Sequence, residues 1–444
     1  MLKQTKEKLT LIPYQVKGVE FLTRNRHTLL GDDMGLGKTI QVVAAINQLK
    51  ANRVLIICPA SVKYNWEKEM QRFLQRDLSI QIINKRKDVI DTSINIHIIN
   101  YELIQYHYPT LKQIKYAVGV CDESQKLKGN DTIRTKKILH KDGVLHNCYF
   151  KILLTGTPIQ NNPIDLYPTI AALRPDLIQK HASFTAFGRY YCGAYFNGFR
   201  MIYSRPSGKK AAELKQILGQ FMLRRKQEDV LKDLPKLTLQ HIPIPMDAKL
   251  RRIKKEEDQL VADIGRKESQ FGQDAVSEYA RLAITNGTWQ KTAAAKLPFC
   301  IEHVEDILES VEKIVIFAYH RQIISDMSSA LGKHGVVVLT GQTTAIKRKE
   351  VVDTFVTDPK TRVFIGQIEA AGTGIDGLQR VCHTSIFVQI SYVPGHIKQA
   401  VKRLSRIGQT KPVQAQFLLV ENSVEKAMFD AVILKNDLIN KIVG

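Results

Sequence analysis

Near its start the chain carries Gly31–Thr39, GDDMGLGKT, in which glycines surround a Lys-Thr pair. Triphosphate oxygens need many donors within a small radius, and backbone N–H groups supply them only where the chain approaches closely. Glycine suits that task at Gly35 and Gly37. Lys38 can reach the β- and γ-phosphates, and the Thr39 hydroxyl can ligate Mg²⁺. The next residues, TIQVVAAINQL, have apolar positions at helical spacing, so a helix there would aim its N-terminal dipole at the anion. One position departs from the strict G-x-x-x-x-G-K-[ST] pattern: Asp32 stands where glycine is required. Without further residues, a Gly-rich turn ahead of an ordinary helix remains open.

Further residues narrow the choice. The segment VGVCDESQ reads as a strand followed by Asp122 and Glu123. In Mg-ATP hydrolysis, Asp122 can hold the metal and Glu123 can orient and polarise the attacking water. Far downstream, QAVKRLSRIGQ places Arg403 and Arg406 three residues apart. On a helix they share one face and could clamp a γ-phosphate as charge develops. The alternative for that pair is a solvated basic helix face.

Elements must position these groups. The runs RVLIICP, INIHIIN, AVGVCDE and KILLTGT read as buried strands with helical patterns between them. This alternation predicts an α/β fold with a parallel sheet, whose functional residues cluster at the carboxyl ends of the strands. From about residue 160 to 300 the pattern is helical and basic. Strands return at KIVIFAY, GVVVLTG, RVFIGQI, TSIFVQI and VQAQFLLV, giving a second α/β unit that ends in a long amphipathic helix.

The chain has 444 residues and a formal net charge of +22, a balance that favours a polyanionic partner, most often nucleic acid. Its six cysteines are scattered without a C-x-x-C pair, which argues against structural zinc and for a reducing compartment. No secretory h-region or bilayer-length apolar run is visible. A cytoplasmic protein without membrane association is expected.

The ordered set DDMGLGKT, LIICPASVKYNWEKE, DESQKLK, LLTGTPIQNNPIDLY, FMLRRKQEDVLKDLP, IEAAGTGIDGLQR and QAVKRLSRIGQ resembles the Swi/Snf-type DNA translocases of helicase superfamily two, over nearly the whole chain. The resemblance implies ATP and Mg²⁺ as cofactors. It makes Gln15 an adenine reader, and Asp33, Met34, Gly35, Leu36, Gly37, Lys38 and Thr39 the phosphate cradle. Thr39 and Asp122 would be the metal ligands. Thr155, Gly156 and Thr157 would couple hydrolysis to domain movement. Pro59, Ala60, Ser61, Asn100 and Tyr101 match stretches that touch the DNA backbone. Gly372, Thr373 and Gly374 match a loop linking DNA to nucleotide, with Gly374 also on the nucleotide side. Gln399, Arg403 and Arg406 match the last motif, Arg406 being the candidate finger. Arg224 and Arg225 match a linker region, with a basic surface stretch as the alternative.

Three positions depart from the family pattern: Gln125 stands in place of histidine, Lys402 in place of aspartate, and Ser405 in place of histidine. The amide of Gln125 can still donate a hydrogen bond to the coupling motif, whereas Lys402 and Ser405 put the tightness of coupling in question. The resemblance implies two RecA-like lobes, one over 1–235 with a helical protrusion near 170–220, the other over 301–444 with its last helix as a brace. A helical linker is expected over 236–300, and ATP is expected between the lobes. The lack of appended chromatin-reading domains favours a compact bacterial or phage-type motor. The expected activity is ATP-dependent tracking along double-stranded DNA by a monomer, through phosphate contacts indifferent to sequence. A strand-separating DNA or RNA helicase is the alternative, and a DNA-binding module with a degenerate ATPase is a third.

Overall fold

The structure, a computed structural model, describes residues 9–160, 162–196, 201–203, 206, 208–268, 287–372 and 375–443. The chain forms two units. The first comprises residues 1–196, 203–232 and 438–444, and the second comprises 197–202 and 233–437.

The first unit is built on a seven-stranded sheet. Its strands are β1 (His27–Leu30), β2 (Val54–Cys58), β3 (Ile80–Ile83), β4 (Ile96–Asn100), β5 (Val118–Asp122), β6 (Phe150–Leu154) and β7 (Met222–Leu223). They lie in the order β3-β4-β2-β5-β6-β1-β7, and every pairing is parallel. The strands are near-continuous β-branched runs because both faces of the sheet are covered. Alternate residues divide between two cores. Val54, Ile56, Val118, Val120, Ile152 and Leu154 enter one; Leu55, Ile57, Cys121 and Leu153 enter the other. Helix α1 (Pro13–Arg24) precedes β1, α2 (Lys38–Gln48) follows it, and α3 (Lys63–Phe73) follows β2. In α3, Trp66, Met70 and Phe73 form the buried stripe. The helices Phe184–Cys192 and Gly208–Gly219 add Phe187, Tyr191, Leu214 and Leu218 to the core of this unit.

Register fixes where the loops emerge. Leu30 pairs with Leu154, and Asp122 pairs with Leu154 from the other side. Three chain segments therefore leave the sheet at one level: Gly31 onward, Glu123 onward and Thr155 onward. The loop after β6 lies between the other two.

The second unit holds a six-stranded sheet, also wholly parallel. Its strands are β8 (Leu237–Ile244), β9 (Ile314–Ala318), β10 (Val336–Leu339), β11 (Val363–Gln367), β12 (Thr384–Phe387) and β13 (Val413–Val420), in the order β8-β13-β12-β9-β11-β10. Strand β8 corrects the expectation of a helical segment from residue 236. It pairs with β13 from Leu237–Val413 to Ile244–Val420. Its edge position tolerates Pro243 and half-exposed polar residues, which hid the strand signal. Helices Ala248–Glu268 and Thr288–Ser310 follow. Between the second of these and the final helix, Val424–Val443, Lys296 and Glu425 form a fully buried ion pair at 2.6 Å, and Lys296 Nζ also donates to Leu418 O. No helix among the described residues is long and apolar enough to cross a membrane.

Candidate nucleotide site and its neighbours

The turn between β1 and α2 has the backbone that its glycines anticipate. Gly37 caps α2 at φ 70°, ψ 45°, a left-handed conformation that side chains disfavour. A Cβ there would stand 2.6 Å from Gln15 Nε2. Gln15 is buried on α1, accepts from Ile12 N–H at 3.2 Å and donates to Leu36 O at 3.4 Å. The glutamine thus abuts the phosphate loop from outside. Lys38 Nζ folds back over the loop, donating to Asp32 O at 2.8 Å and Asp33 O at 3.3 Å. Burial lowers its pKa, while Glu123, Asp32, Asp122 and Asp33 pull the other way. Four carboxylates therefore surround one ammonium at the carboxyl edge of the sheet.

The acidic pair sits at the end of β5. Asp122 Oδ2 accepts from Trp66 Nε1 at 2.9 Å, and Asp122 Oδ1 accepts from Glu123 N–H at 2.9 Å. Burial, then the neighbouring Glu123, pushes the Asp122 carboxyl up to about 6, against the pull of Trp66 and Lys38. Glu123 itself adopts φ 52°, ψ 49°. A non-glycine residue in that region costs energy and occurs where a side chain must be aimed. Gln125 is buried, and its Nε2 donates to Glu123 Oε2. The amide that replaces the family histidine thus holds the glutamate.

The third loop, Thr155–Thr157, packs against the phosphate loop. A Cβ at Gly156 would come within 2.7 Å of Met34 Cγ and 3.6 Å of Lys38 Nζ. Thr157 N–H donates to Thr155 Oγ1 at 3.0 Å. Lys38, Asp122, Glu123 and the Thr155–Thr157 loop are thus brought together in the first unit.

Several expectations need correction. Tyr101 does not face outward toward a DNA strand. It is 2% exposed, and its hydroxyl donates to Asp122 O at 2.6 Å. Asn100 is also turned inward, accepting from Lys63 Nζ at 3.1 Å and donating to Glu102 Oε2 at 2.8 Å. Tyr101 thus ties the end of β4 to the end of β5, and Asn100 ties it to α3 through Lys63. Pro59 is buried as well, whereas Ala60 is exposed and Ser61 half-exposed in the short turn before α3. Arg224 and Arg225 are no basic surface stretch, with side chains 6% and 12% exposed. Arg224 donates to Gly31 O at 2.9 Å and meets Asp33 Oδ1 at 3.4 Å. Arg225 forks onto Asp32, with Nε to Oδ1 at 2.9 Å and Nη2 to Oδ2. Both arginines buttress the phosphate loop from behind.

In the second unit the helix Pro394–Val401 ends before either arginine, so Arg403 and Arg406 share no helical face. Arg403 is buried and donates Nη1 to Ile375 O at 2.7 Å and Nη2 to Gly372 O. Its guanidinium thus holds the carbonyls of Gly372 and Ile375. Arg406 is half-buried, 3.3 Å from Asp376 Oδ1. Burial would raise the Asp376 carboxyl, but Arg406 and a hydrogen bond from Gln379 outweigh it and hold the pKa below its ordinary value. Gln399 is buried beside Gly372, with its Oε1 3.5 Å from where a Cβ there would lie. Thr373 and Gly374 lie outside the described residues.

Residues 14–296 match the SNF2-related domain, and residues 299–408 match the helicase conserved C-terminal domain. The chain belongs to the SNF2-related family of helicase-like ATPases. Among its relatives is the human DNA annealing helicase and endonuclease ZRANB3, 29% identical over 434 residues, which covers 94% of this chain and 39% of that protein. Another is the Caenorhabditis elegans SWI/SNF-related matrix-associated actin-dependent regulator of chromatin subfamily A-like protein 1 homolog. It is 30% identical over 453 residues, covering 97% of this chain and 62% of that protein. The chain thus spans about two fifths of the first relative's length. The solved Sulfolobus solfataricus SWI2/SNF2 ATPase core in complex with dsDNA aligns with a TM-score of 0.47 and 24% identity, over 100% of this chain and 94% of that one.

Proposed function

We propose that this chain hydrolyses ATP and uses the cycle to track along double-stranded DNA. The observation that carries the reading is the convergence of Lys38, Asp122, Glu123 and the Thr155–Thr157 loop at one edge of the first sheet, on a chain of SNF2-related family. The loop Asp33–Thr39 cradles the triphosphate with its backbone N–H groups, and Lys38 swings from the carbonyls of Asp32 and Asp33 to the β- and γ-phosphates. Glu123, aimed by its left-handed backbone and held by Gln125, orients the attacking water and takes its proton at Oε1 or Oε2. The Thr39 hydroxyl and the Asp122 carboxylate are hard oxygen donors that would hold Mg²⁺. When bound, the metal neutralises charge on the phosphates. Gln15, in contact with the loop at Leu36 and Gly37, reads the base. Arg406 is the guanidinium of the last motif able to reach a ligand, since Arg403 is committed to the Gly372 loop.

The net charge of +22 suits duplex phosphate as the partner, and the human relative ZRANB3 is described as a DNA annealing helicase and endonuclease. The test is ATP hydrolysis without nucleic acid and with duplex DNA, single-stranded DNA or RNA, with Lys38→Ala as the control. Strong stimulation by duplex, lost in Lys38→Ala, is the expected result. Best stimulation by a single strand or RNA would favour a strand-separating helicase. No difference between wild type and Lys38→Ala would end the proposal.

A further inference from the structure

The acidic residue that departs from the strict phosphate-loop pattern and the arginine far downstream are two halves of one device. We infer that Arg225 is a positioning residue for the nucleotide phosphates, acting through a buried fork onto Asp32. The inference rests on the nucleotide site proposed above.

Four segments meet at this point. The Asp32 side chain is fully buried, so its charge requires a partner. Arg225 supplies two parallel donors in the geometry that suits a carboxylate. Gln41 of α2 closes the triangle, accepting from Arg225 Nη2 at 2.7 Å and donating to Asp32 Oδ2 at 3.2 Å and Leu36 O at 3.1 Å. Arg225 also donates Nη1 to Tyr14 O and lies 5.2 Å from the centre of the Tyr14 ring. Helix α1 makes room for this cluster at Gly18, where a Cβ would overlap Gln41 Oε1 and come within 2.9 Å of Arg225 Nη2.

The backbone repeats the connection. Gly31 N–H donates to Leu223 O at 2.8 Å, and Asp33 N–H donates to Arg225 O at 3.0 Å. The phosphate loop is thus pinned at residues 31, 32 and 33 to the strand end at 222–225, and at Leu36 to α2. Glycines at 35 and 37 leave the intervening loop free to wander. Pinning its entry and its far side fixes where its N–H groups point. A loop held in the binding shape loses less entropy on capturing a triphosphate. An acid at position 32 is therefore no defect in the phosphate pattern. It is the anchor by which β7 holds the loop.

The full chain provides the test. ATP KM and kcat, affinity for a fluorescent ATP analogue, and apo melting temperature are measured for wild type, Lys38→Ala, Arg225→Lys, Arg225→Gln, Asp32→Asn and the double variant Asp32→Asn/Arg225→Gln. Arg225→Gln is expected to weaken nucleotide affinity about tenfold or more at temperatures well below melting, with kcat falling less. Arg225→Lys keeps the charge without the fork and should fall between it and wild type. The double variant should recover part of the loss, because two facing amides remove the unpaired buried charge. Gly18→Ala, whose added Cβ crowds both Gln41 and Arg225 Nη2 while leaving both charges in place, should weaken affinity in the same direction. Variants that melt lower while affinity stays within twofold of wild type would overturn the inference and leave the nucleotide site standing. Wild type binding no nucleotide would bring down the site reading, and the inference with it.

Discussion

At the scale of single residues, burial separates side chains free to meet solvent from those that hold others in place. Arg403 and Arg406 have the same chemistry and lie three positions apart, yet they do different work. Arg403 is buried on the carbonyls of Gly372 and Ile375, and Arg406 is half-exposed with one carboxylate partner. Arg403→Ala should therefore destabilise the second unit by about 2–3 kcal/mol, because two buried carbonyls lose a charged donor. Arg406→Ala should change stability by less than about 1 kcal/mol and lower kcat on the order of a thousandfold. Urea unfolding and steady-state hydrolysis distinguish the two; equal stability losses would refute the assignment. Tyr101 makes a parallel case. Tyr101→Phe removes the donor to Asp122 O and should cost about 1–2 kcal/mol with duplex affinity unchanged. A clear loss of affinity for a labelled duplex would return Tyr101 to the DNA-contacting set. The residue types and spacing made Lys38, Thr39, Asp122 and Glu123 legible. They could not reveal the direction in which Tyr101, Arg224 and Arg225 point, because side-chain direction depends on which strand lies next to which.

At the scale of elements, parallel strands with both faces covered explain why the sequence reads so plainly in β2, β4, β5 and β6, and so poorly at the edges. β7 has two residues and β8 carries a proline, so neither has the apolar run that marks a central strand. Within β4, His97 is fully buried, with Nε2 3.0 Å from Asp91 O and Nδ1 3.0 Å from the Tyr116 hydroxyl. This geometry suits the neutral ring, with Nε2–H donating and Nδ1 accepting. Burial, with a smaller contribution from Arg53, lowers its pKa against the pull of Asp91. A depressed folded-state value means that the stabilisation is fully present above the unfolded pKa, about 6.5, and is lost as pH falls through the folded value. The stability gap between wild type and His97→Gln should therefore be largest near pH 8 and should shrink toward pH 5. Urea titrations across that range measure it, and a gap that widens on acidification would contradict the neutral assignment.

At the scale of the whole molecule, the charge of +22 governs encounter with a polyanion more than it governs stability. Duplex affinity should fall linearly on a log–log plot against salt, with a slope of about −0.9 per phosphate neutralised, and should vary little with sequence. Anisotropy titrations of several duplexes at a series of salt concentrations test this. A flat salt response, or strong preference for one sequence, would point away from phosphate contacts.

The sequence by itself determined the family and the plan of the fold: a glycine-rich turn carrying Lys38 and Thr39, an Asp-Glu pair ending a strand, two parallel α/β units and a strongly basic chain. Those features are local or compositional, so periodicity, glycine placement and charge reveal them. Tertiary structure decided which groups meet. Asp32 and Arg225 are 193 residues apart and read as a pattern violation and a linker-region arginine, yet they form one buried fork. Arg403 likewise became a brace once its neighbouring carbonyls were in place. The physical reason is that a charge's task is set by the dielectric and the partners around it, and only the folded chain brings β1 and β7 side by side.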